Sequence, residues 1–416
     1  MVELLSPAGS YTKLEYAYAF GADAAYVGIP LFSLRARENE FNLDELKRSI
    51  ELKNKLGKKL YVTCNIFARN RKINAFNKQI DEIIALKPDA LIMGDPGLMM
   101  MVRERHADIP IHLSVQANCM NWQAVKFWNQ SLNIERVILS RELTIDEIRE
   151  IKQRVPDVEL EAFVHGSICI AYSGRCLLSS YFSHRDANQG VCDNSCRDKF
   201  KMYETPSGKK DYYLEDLRNQ GEFYQIDEDE NGTLIMNAKD LSLIEHLKEI
   251  IDAGVCSLKI EGRTKSEQYV SLVTRAYRQA LDDYYKRKDF NPELLAELEK
   301  VANRGYHKGF MIPNPGKDQQ NYESSFQRKF TQQFAGLVQN DLPAQGNYIP
   351  VEIRNRISVG QQCEILEPSG RNFSFEVKSI KNKEAQEVQS AHGGTGVFYV
   401  EMPKNPEKYS VMSVLI

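Results

Sequence analysis

The chain has 416 residues, 42% of them hydrophobic and 27% charged, enough for a large globular domain and a smaller second one. Its formal net charge of −3 excludes a globally basic nucleic-acid-binding protein but leaves room for a local basic surface. No apolar run approaches the length of a membrane-spanning helix, and the first residues lack the basic start and apolar stretch of a signal peptide. We therefore expect a cytoplasmic protein with no membrane partner.

Short apolar runs alternate with longer amphipathic patterns as far as residue 286. Strands are predicted at 3–6, 24–28, 60–67, 90–94, 111–117, 136–140, 159–165 and 257–261. Helices are predicted at 11–20, 43–56, 73–86, 97–104, 122–131, 145–154, 241–253 and 266–286. Eight β–α units in series predict an α/β fold, a (β/α)8 TIM-like barrel, over residues 1–325. An open doubly wound sheet is the alternative, but no G-x-G-x-x-G follows the first strand.

Two segments depart from this alternation. Residues 167–239, after the seventh strand, form an insertion far longer than a typical loop, and loops of that length are usually functional or disordered. From about residue 330 short strands follow one another, at 348–352, 362–366, 374–380, 396–401 and 410–415. They predict a small all-β domain, a barrel or a sandwich, over residues 330–416.

Polar residues are concentrated where the barrel strands end, which is where the active sites of such barrels lie. Spacing by two places the members of each set on one face of their strand. These sets are His112, Ser114, Gln116 and Asn118 on the fifth strand, Glu161, Phe163 and His165 on the seventh, and Lys259, Glu261 and Arg263 on the eighth. We predict catalytic roles for Glu161, His165, Lys259 and Glu261, and substrate-binding roles for Gln116, Asn118 and Arg141. For any single residue, a structural ion pair is the competing interpretation.

The segment that follows the eighth strand carries two cations, Arg263 and Lys265, and a hydroxyl, Ser266, at the start of a helix. Barrels often bind phosphate at this position, because the N–H groups of a helix start favour an anion. We therefore predict that Arg263 and Lys265 bind an anionic substrate.

Four of the eight cysteines, Cys169, Cys176, Cys192 and Cys196, fall within the insertion with the spacing Cys-x6-Cys-x15-Cys-x3-Cys. In a reducing compartment, clustered cysteines bind metal more often than they form disulfides. The spacing alone leaves open a [4Fe–4S] cluster, tetrahedral zinc and unligated thiols. A nucleophilic cysteine paired with His165 is a further alternative, although proximity in sequence is not pairing in space.

The sequence of this region resembles a known family. Residues 161–169 read E-A-F-V-H-G-S-I-C, and residues 174–179 read G-R-C-L-L-S. Together they resemble the defining motif of the collagenase-like peptidase family of unknown catalytic type. Further family-like blocks are L-L-S-P-A-G at 4–9, R-D-A-N-Q-G at 185–190, N-A-K-D-L at 237–241 and K-I-E-G-R at 259–263. The resemblance covers essentially the whole barrel, and the β-rich tail resembles the family's carboxyl-terminal domain.

The resemblance implies more than proteolysis, because members of this family also take part in hydroxylating RNA and ubiquinone. The R-D-A-N-Q-G-x-C-x3-C and K-I-E-G-R blocks are most similar to the branch that hydroxylates the wobble uridine of tRNA to 5-hydroxyuridine. That likeness implies tRNA and prephenate, a small anionic co-substrate, as partners, and a [4Fe–4S] cluster as cofactor. A collagenase-like peptidase and a non-catalytic chain paired with a paralogous subunit are the alternatives.

By the same resemblance, Cys169, Cys176 and Cys192 match cluster ligands of the family. Some relatives carry a further cysteine directly after the K-D-L block, where this chain has Ser242. We therefore take Cys196 as the fourth ligand, because a three-residue gap lets two thiolates reach one cluster. Lysines and tyrosines of the insertion could hold RNA, namely Lys199, Lys201, Lys209, Lys210, Tyr203, Tyr212 and Tyr213.

Overall fold

The structure is a computed structural model. It describes residues 1–34, 41–168, 171–176, 178–179, 192, 194, 196, 200–204, 212–216, 223–226, 239–312 and 330–416.

The strands of the first domain confirm the predicted (β/α)8 barrel. In chain order they are β1 (Glu3–Pro7), β2 (Ala24–Gly28), β3 (Lys59–Cys64), β4 (Ala90–Met93), β5 (Ile111–Leu113), β6 (Arg136–Ile138), β7 (Glu159–Ser167), β8 (Phe200–Glu204), β9 (Tyr212–Asp216), β10 (Phe223–Ile226), β11 (Asp240–Ser242), β12 (Ser257–Ile260) and β13 (Tyr306–His307). Strands β1 to β7 pair in parallel in sequence order, and β12 closes the barrel by pairing with both β1 and β7. Within the insertion, β8 to β10 form a separate antiparallel sheet.

Six of the nine helices described begin at a residue whose side chain caps the first turn. The nine helices are α1 (Tyr11–Ala19), α2 (Leu43–Leu56), α3 (Asn70–Ala85), α4 (Pro96–Arg105), α5 (Trp122–Leu132), α6 (Ile145–Arg154), α7 (Leu247–Asp252), α8 (Glu267–Tyr285) and α9 (Glu293–Glu299). Asn42, Asp95 and Thr144 each accept a hydrogen bond from a backbone N–H of the first helical turn. These contacts satisfy donors that a helix start otherwise leaves without a partner.

Two of the differences between predicted and observed elements change where polar residues lie. The fifth strand ends at Leu113, and Val115–Ala117 form a 3-10 turn that leaves Asn118 in the left-handed region with φ of 48°. The two-residue alternation predicted for residues 112–118 therefore fails after Ser114. Residues 241 and 242, predicted as the start of a helix, belong to β11 instead.

Two additional short strands widen the sheet beside β7. Strand β11 pairs antiparallel with the end of β7, and β13 pairs with β11. Strand β7 therefore has β6 and β12 as neighbours in the barrel and β11 as a third neighbour near its carboxyl end. The end of β7 is therefore paired with β11 and also contacts α8, through Tyr277 and the Val164 carbonyl oxygen.

The carboxyl-terminal domain is all-β, as predicted, and the strand pairings described in it are antiparallel. Its strands are β14 (Gln332–Val338), β15 (Tyr348–Ile353), β16 (Ile357–Ser358), β17 (Gln362–Leu366), β18 (Phe373–Glu376), β19 (Ile380–Lys381), β20 (Glu387–Val388), β21 (Ser390–Ala391), β22 (Val397–Glu401) and β23 (Val411–Leu415). The domain docks on α8, where Gln268 donates to Ser413 Oγ at 2.8 Å and Arg275 donates to the Glu367 carbonyl oxygen at 2.8 Å. In the described part of the chain, no helix is both long and apolar enough to cross a membrane.

Candidate functional site

The barrel lumen contains a buried network of ion pairs. Arg136 contacts Glu3 at 2.6 Å, Glu159 at 2.6 Å and Glu161 at 3.3 Å. Glu161 also accepts a hydrogen bond from Lys259 Nζ at 2.7 Å. Because an isolated charge in a dry interior costs several kcal/mol, this sharing of partners is what allows so many charges in one lumen. Glu161 and Lys259, both predicted as catalytic, therefore meet as an ion pair.

Burial and neighbouring charges oppose each other at these groups. Burial lowers the pKa of Lys259, and the Glu161 carboxylate offsets only part of that shift. Burial raises the pKa of Glu3, but Arg136, Tyr61 and Lys59 together outweigh it and hold this pKa below its usual value. Burial, reinforced by Arg136, keeps the pKa of His112 well below its usual value. Lys259 Nζ also lies 4.6 Å from the ring centroid of Tyr26, so an aromatic ring as well as a carboxylate faces this cation.

The mouth of the barrel, at the carboxyl ends of the strands, is lined with amides and hydroxyls. Asn65 donates to Ser114 Oγ at 3.4 Å, and Ser140 Oγ donates to Asn118 Oδ1 at 3.1 Å. Gln116, on the 3-10 turn, is half-buried. Such groups can both donate and accept hydrogen bonds, which suits the edge of a polar ring.

The mouth also contains a charged pair, Arg141 and Glu261. Arg141 lies with Cζ 3.7 Å from the ring centroid of Phe163 and with its guanidinium 3.8 Å from the Glu261 carboxylate. Lys259 Nζ lies 5.3 Å from the centroid of the same ring. Phe163 therefore lies close to both the mouth cation and the lumen cation, and both pairs are of the cation–π kind. Arg141 and Glu261 are both half-buried at the mouth.

Arg263 has a different environment from the one predicted. It is 5% exposed, and its guanidinium donates to Thr63 Oγ1 at 2.7 Å and to the Leu34 carbonyl oxygen. These contacts fix the segment after β2 against β3. Lys265 is half-buried, with Nζ 5.3 Å from the ring centroid of Tyr269. Of the two cations predicted to bind an anion, Arg263 is therefore the one whose guanidinium holds two backbone segments together, a contact that the sequence did not indicate.

His165 lies outside the barrel lumen. A bulge in β7 pairs Phe163 with Lys259 but His165 with Ile260, the next residue of β12. The predicted shared face of Glu161, Phe163 and His165 is therefore wrong at His165, because one extra residue reverses the alternation. The ring packs instead among three tyrosines, with centroid distances of 6.0 Å to Tyr269, 5.4 Å to Tyr277 and 5.3 Å to Tyr306.

The hydrogen bonds of Tyr277 define the protonation of His165. The Tyr277 hydroxyl donates to the Val164 carbonyl oxygen at 2.7 Å and lies 3.3 Å from His165 Nδ1. Because its one proton goes to Val164, we assign the remaining proton to Nδ1, which donates to the tyrosine oxygen. Burial lowers the pKa of His165 to about 3, so the imidazole is neutral. Within the described residues, Nε2 has no hydrogen-bond partner.

The cysteine-bearing insertion begins against the mouth. Gly174 has φ of 74°, and a Cβ at this position would lie 2.2 Å from the carbonyl oxygen of Gln116. Ser173 N donates to Glu142 Oε1 at 2.9 Å. Both contacts hold the turn that leads to Cys176 over the ends of β5 and β6.

The predicted metal ligands are described only in part. Cys176 and Cys196 are half-buried and Cys192 is exposed, whereas Cys169 lies outside the described residues. Among the residues that the structure describes, no three His, Cys, Asp or Glu side chains are grouped to hold a metal ion. Four thiols are nonetheless the donor set that iron–sulfur clusters use. The side chains of the lysines and tyrosines proposed for RNA binding also lie outside the described residues.

The ion-pair partners in the lumen were not predicted from the sequence. Glu3 and Arg136 each stand at the first position of a strand. A charged residue at the start of an otherwise apolar strand could have indicated a buried ion pair. Glu3 and Arg136 lie 133 positions apart in sequence, however, so only the closed barrel brings them together.

These features define a parallel (β/α)8 barrel with a polar mouth and an appended β domain. Residues 9–321 match the model of peptidase family U32, and residues 331–412 match the model of the peptidase family U32 C-terminal domain. The chain belongs to peptidase family U32, which confirms the family predicted from the motif.

Relatives within this family have different names. The chain is 42% identical over 435 residues to tRNA hydroxylation protein P of Escherichia coli, covering 97% of this chain and 94% of the relative. It is 36% identical to tRNA hydroxylation protein P1 of Bacillus subtilis, covering 94% of this chain and 89% of the relative. It is also 32% identical to a collagenase of Porphyromonas gingivalis, covering 74% of this chain and 73% of that protein.

Proposed function

We propose that this chain hydroxylates tRNA, converting the wobble uridine to 5-hydroxyuridine with prephenate as co-substrate and a [4Fe–4S] cluster as cofactor. The observation that carries the proposal is the 42% identity to a tRNA hydroxylation protein over 97% of the chain. That similarity includes the carboxyl-terminal domain as well as the barrel. The relative named collagenase matches a smaller share of the chain, 74%.

The mouth has the chemistry to receive a uracil ring. An enzyme that acts on a base must take it out of the stack and read its edge by hydrogen bonds. Uracil presents both donors and acceptors, as do the side-chain amides of Gln116 and Asn118. Phe163 adds an aromatic wall, and Arg141 and Glu261 add one charge of each sign. We assign Glu261 the role of the acid–base group, because it is half-buried at the mouth.

Prephenate carries two carboxylates, and Arg141 and Lys265 are the cations that we assign to them. Arg263, predicted for the same role, already donates to Thr63 and Leu34, and we propose that it braces the mouth instead. Lys259 and Glu161 lie deeper, and we propose that their ion pair supports the floor of the site through Phe163. His165 is neutral and lies outside the lumen, and we propose that it anchors the start of the insertion.

The proposed cluster ligands are Cys169, Cys176, Cys192 and Cys196. When bound, such a cluster supplies one-electron redox chemistry. Support comes from the thiol donor set and from the turn that holds the approach to Cys176 over the mouth. Ser242, the position at which some relatives carry a further cysteine, lies on β11 and pairs with His165 of β7.

The test combines a genetic and a biochemical measurement. Deleting the gene in a strain without a second family member should abolish 5-hydroxyuridine and its derivatives in tRNA, as measured by nucleoside mass spectrometry. Expression of the wild-type chain should restore them. Anaerobically purified protein should contain about four iron and four sulfide per chain. It should hydroxylate tRNA only when prephenate is added. Unchanged 5-hydroxyuridine in the deletion strain would refute the proposal.

Two further outcomes would identify the alternatives. Cleavage of labelled collagen-like peptides that survives removal of iron would indicate a peptidase. Modification that requires co-purification with a second family member, the isolated chain being inert, would indicate one subunit of a pair.

A further inference from the structure

Three exposed arginines and one exposed tyrosine lie at the mouth, outside the residues assigned above. Arg69 and Arg71 are on the loop and first turn between β3 and α3, and Arg175 is on the turn that follows β7. Tyr172, on the same turn, is 61% exposed. We call these four residues the rim surface. Arg69 and Arg71 lie beyond the carboxyl end of β3, and the turn with Tyr172 and Arg175 packs over the ends of β5 and β6, so the surface spans strands that are consecutive in the barrel.

The backbone that carries the rim surface is held in place. Ala68 N, next to Arg69, donates to Asp95 Oδ2 at 2.9 Å. The turn with Tyr172 and Arg175 is closed by Arg175 N donating to the Tyr172 carbonyl oxygen at 3.0 Å. The same turn packs Gly174 on the Gln116 carbonyl. The arginines therefore project from anchored loops of the barrel rather than from a free chain.

Charge at this end of the barrel favours an anionic partner. In the described part of the chain, the neighbouring acids make hydrogen bonds or ion pairs with groups other than the rim arginines. Asp95 accepts from the backbone N–H groups of residues 68, 97 and 98, Glu142 accepts from Ser173, and Glu261 pairs with Arg141. The rim surface itself contains three arginines and no acid, so it is cationic although the chain as a whole carries a net charge of −3.

We infer that the rim surface binds the sugar–phosphate backbone of RNA, with Tyr172 stacking on a base next to the one in the mouth. A guanidinium matches phosphate with two parallel hydrogen bonds, and an exposed tyrosine ring accepts any base face. Because the surface adjoins Gln116 through Gly174, RNA held on it has a nucleotide within reach of the mouth. The inference rests on the proposed function and adds the contact surface for the substrate.

The test compares two triple variants of the full-length protein. The first is Arg69→Ala with Arg71→Ala and Arg175→Ala. The control is Lys55→Ala with Lys87→Ala and Lys286→Ala, which removes three exposed cations near the ends of α2, α3 and α8, at the opposite end of the barrel. Affinity for unmodified tRNA is measured by fluorescence anisotropy across a salt series. Each lost phosphate contact lowers the slope of log K against log salt by about 0.7 to 0.9, so the rim variant should lose about 2 to 3. The control should keep the wild-type slope.

Stacking by the tyrosine is tested separately. Tyr172→Ala should weaken tRNA binding about tenfold, whereas Tyr172→Phe should retain it. A rim variant that binds and modifies tRNA like wild type would overturn the inference while leaving the proposed function intact. Wild-type protein that neither binds nor modifies tRNA would overturn both. Retained tRNA binding with lost affinity for an acidic protein partner would also overturn the inference, because it would assign the surface to protein.

Discussion

The guanidinium of Arg263 occupies the space that a side chain at Gly28 would need. A Cβ on Gly28 would lie 2.1 Å from Arg263 Nη1 and 2.6 Å from Ser33 Oγ. The contact couples the end of β2 to the segment after β12, and thereby positions two sides of the mouth. Glycine is required here for close approach rather than for backbone freedom.

Gly28→Ala should therefore destabilise the protein by about 1–3 kcal/mol, because a methyl group has to displace the guanidinium. In an Arg263→Ala background the same change should cost less, with Ser33 retaining part of the cost. Urea unfolding of the four proteins in this cycle gives the coupling energy. Additive effects would show that Arg263 does not fill this space in solution.

Lys259→Met should destabilise the protein by about 3–5 kcal/mol, because it leaves the Glu161 carboxylate in the lumen with Arg136 as its remaining cation. Adding Glu161→Gln should recover part of this loss, since Arg136 keeps Glu3 and Glu159. Chemical denaturation at neutral pH measures both variants. A cost below about 1 kcal/mol for Lys259→Met would contradict a buried pair.

His165 should make the fold acid-sensitive. Its pKa is about 3 in the folded protein against an ordinary value of 6.5, so the unfolded chain takes up the proton first as the pH falls. The contribution of the neutral imidazole to the free energy of unfolding is fully present above pH 6.5. It is lost toward pH 3, by up to about 1.4 kcal/mol per pH unit.

His165→Gln should therefore flatten the dependence of unfolding free energy on pH between 6.5 and 4.5, while His307 and other groups still contribute. Denaturant melts at several pH values give the slopes. The same variant should keep the wild-type shape of the pH–rate profile near neutrality, since the imidazole does not titrate there. Loss of an activity limb near pH 6.5 would identify His165 as an acid–base catalyst instead.

Gly174→Ala should lift the cysteine-bearing turn from β5, because its Cβ would meet the Gln116 carbonyl at 2.2 Å and its φ of 74° disfavours a side chain. We expect most of the bound iron to be lost while the barrel stays folded. Gly360→Ala is the control, with φ of 88° and open space around its Cβ. Iron and sulfide analysis alongside circular dichroism separates the two effects, and wild-type iron in Gly174→Ala would contradict the link.

The alternation of apolar strands and amphipathic helices was sufficient to predict the barrel. Periodicity is a local property, and so are helix starts, which is why the residue types and positions of Asn42, Asp95 and Thr144 already indicate helix caps. The family motif around Glu161 likewise depends on the order of residues alone, and the family comparison confirms it.

Contacts between distant strands could not be predicted in this way. A single bulge in β7 places His165 among three tyrosines instead of in the lumen, and nothing in the local sequence indicates the extra residue. The sequence predicts that Arg263 binds an anion, but it does not predict the contacts of Arg263 with Gly28 and Thr63, at least 200 positions earlier in the chain. Sequence by itself determined the barrel, its appended β domain and the family, because these follow from periodicity and residue order. Tertiary structure decided which polar groups face the lumen, the mouth or the helices, because that depends on register and closure.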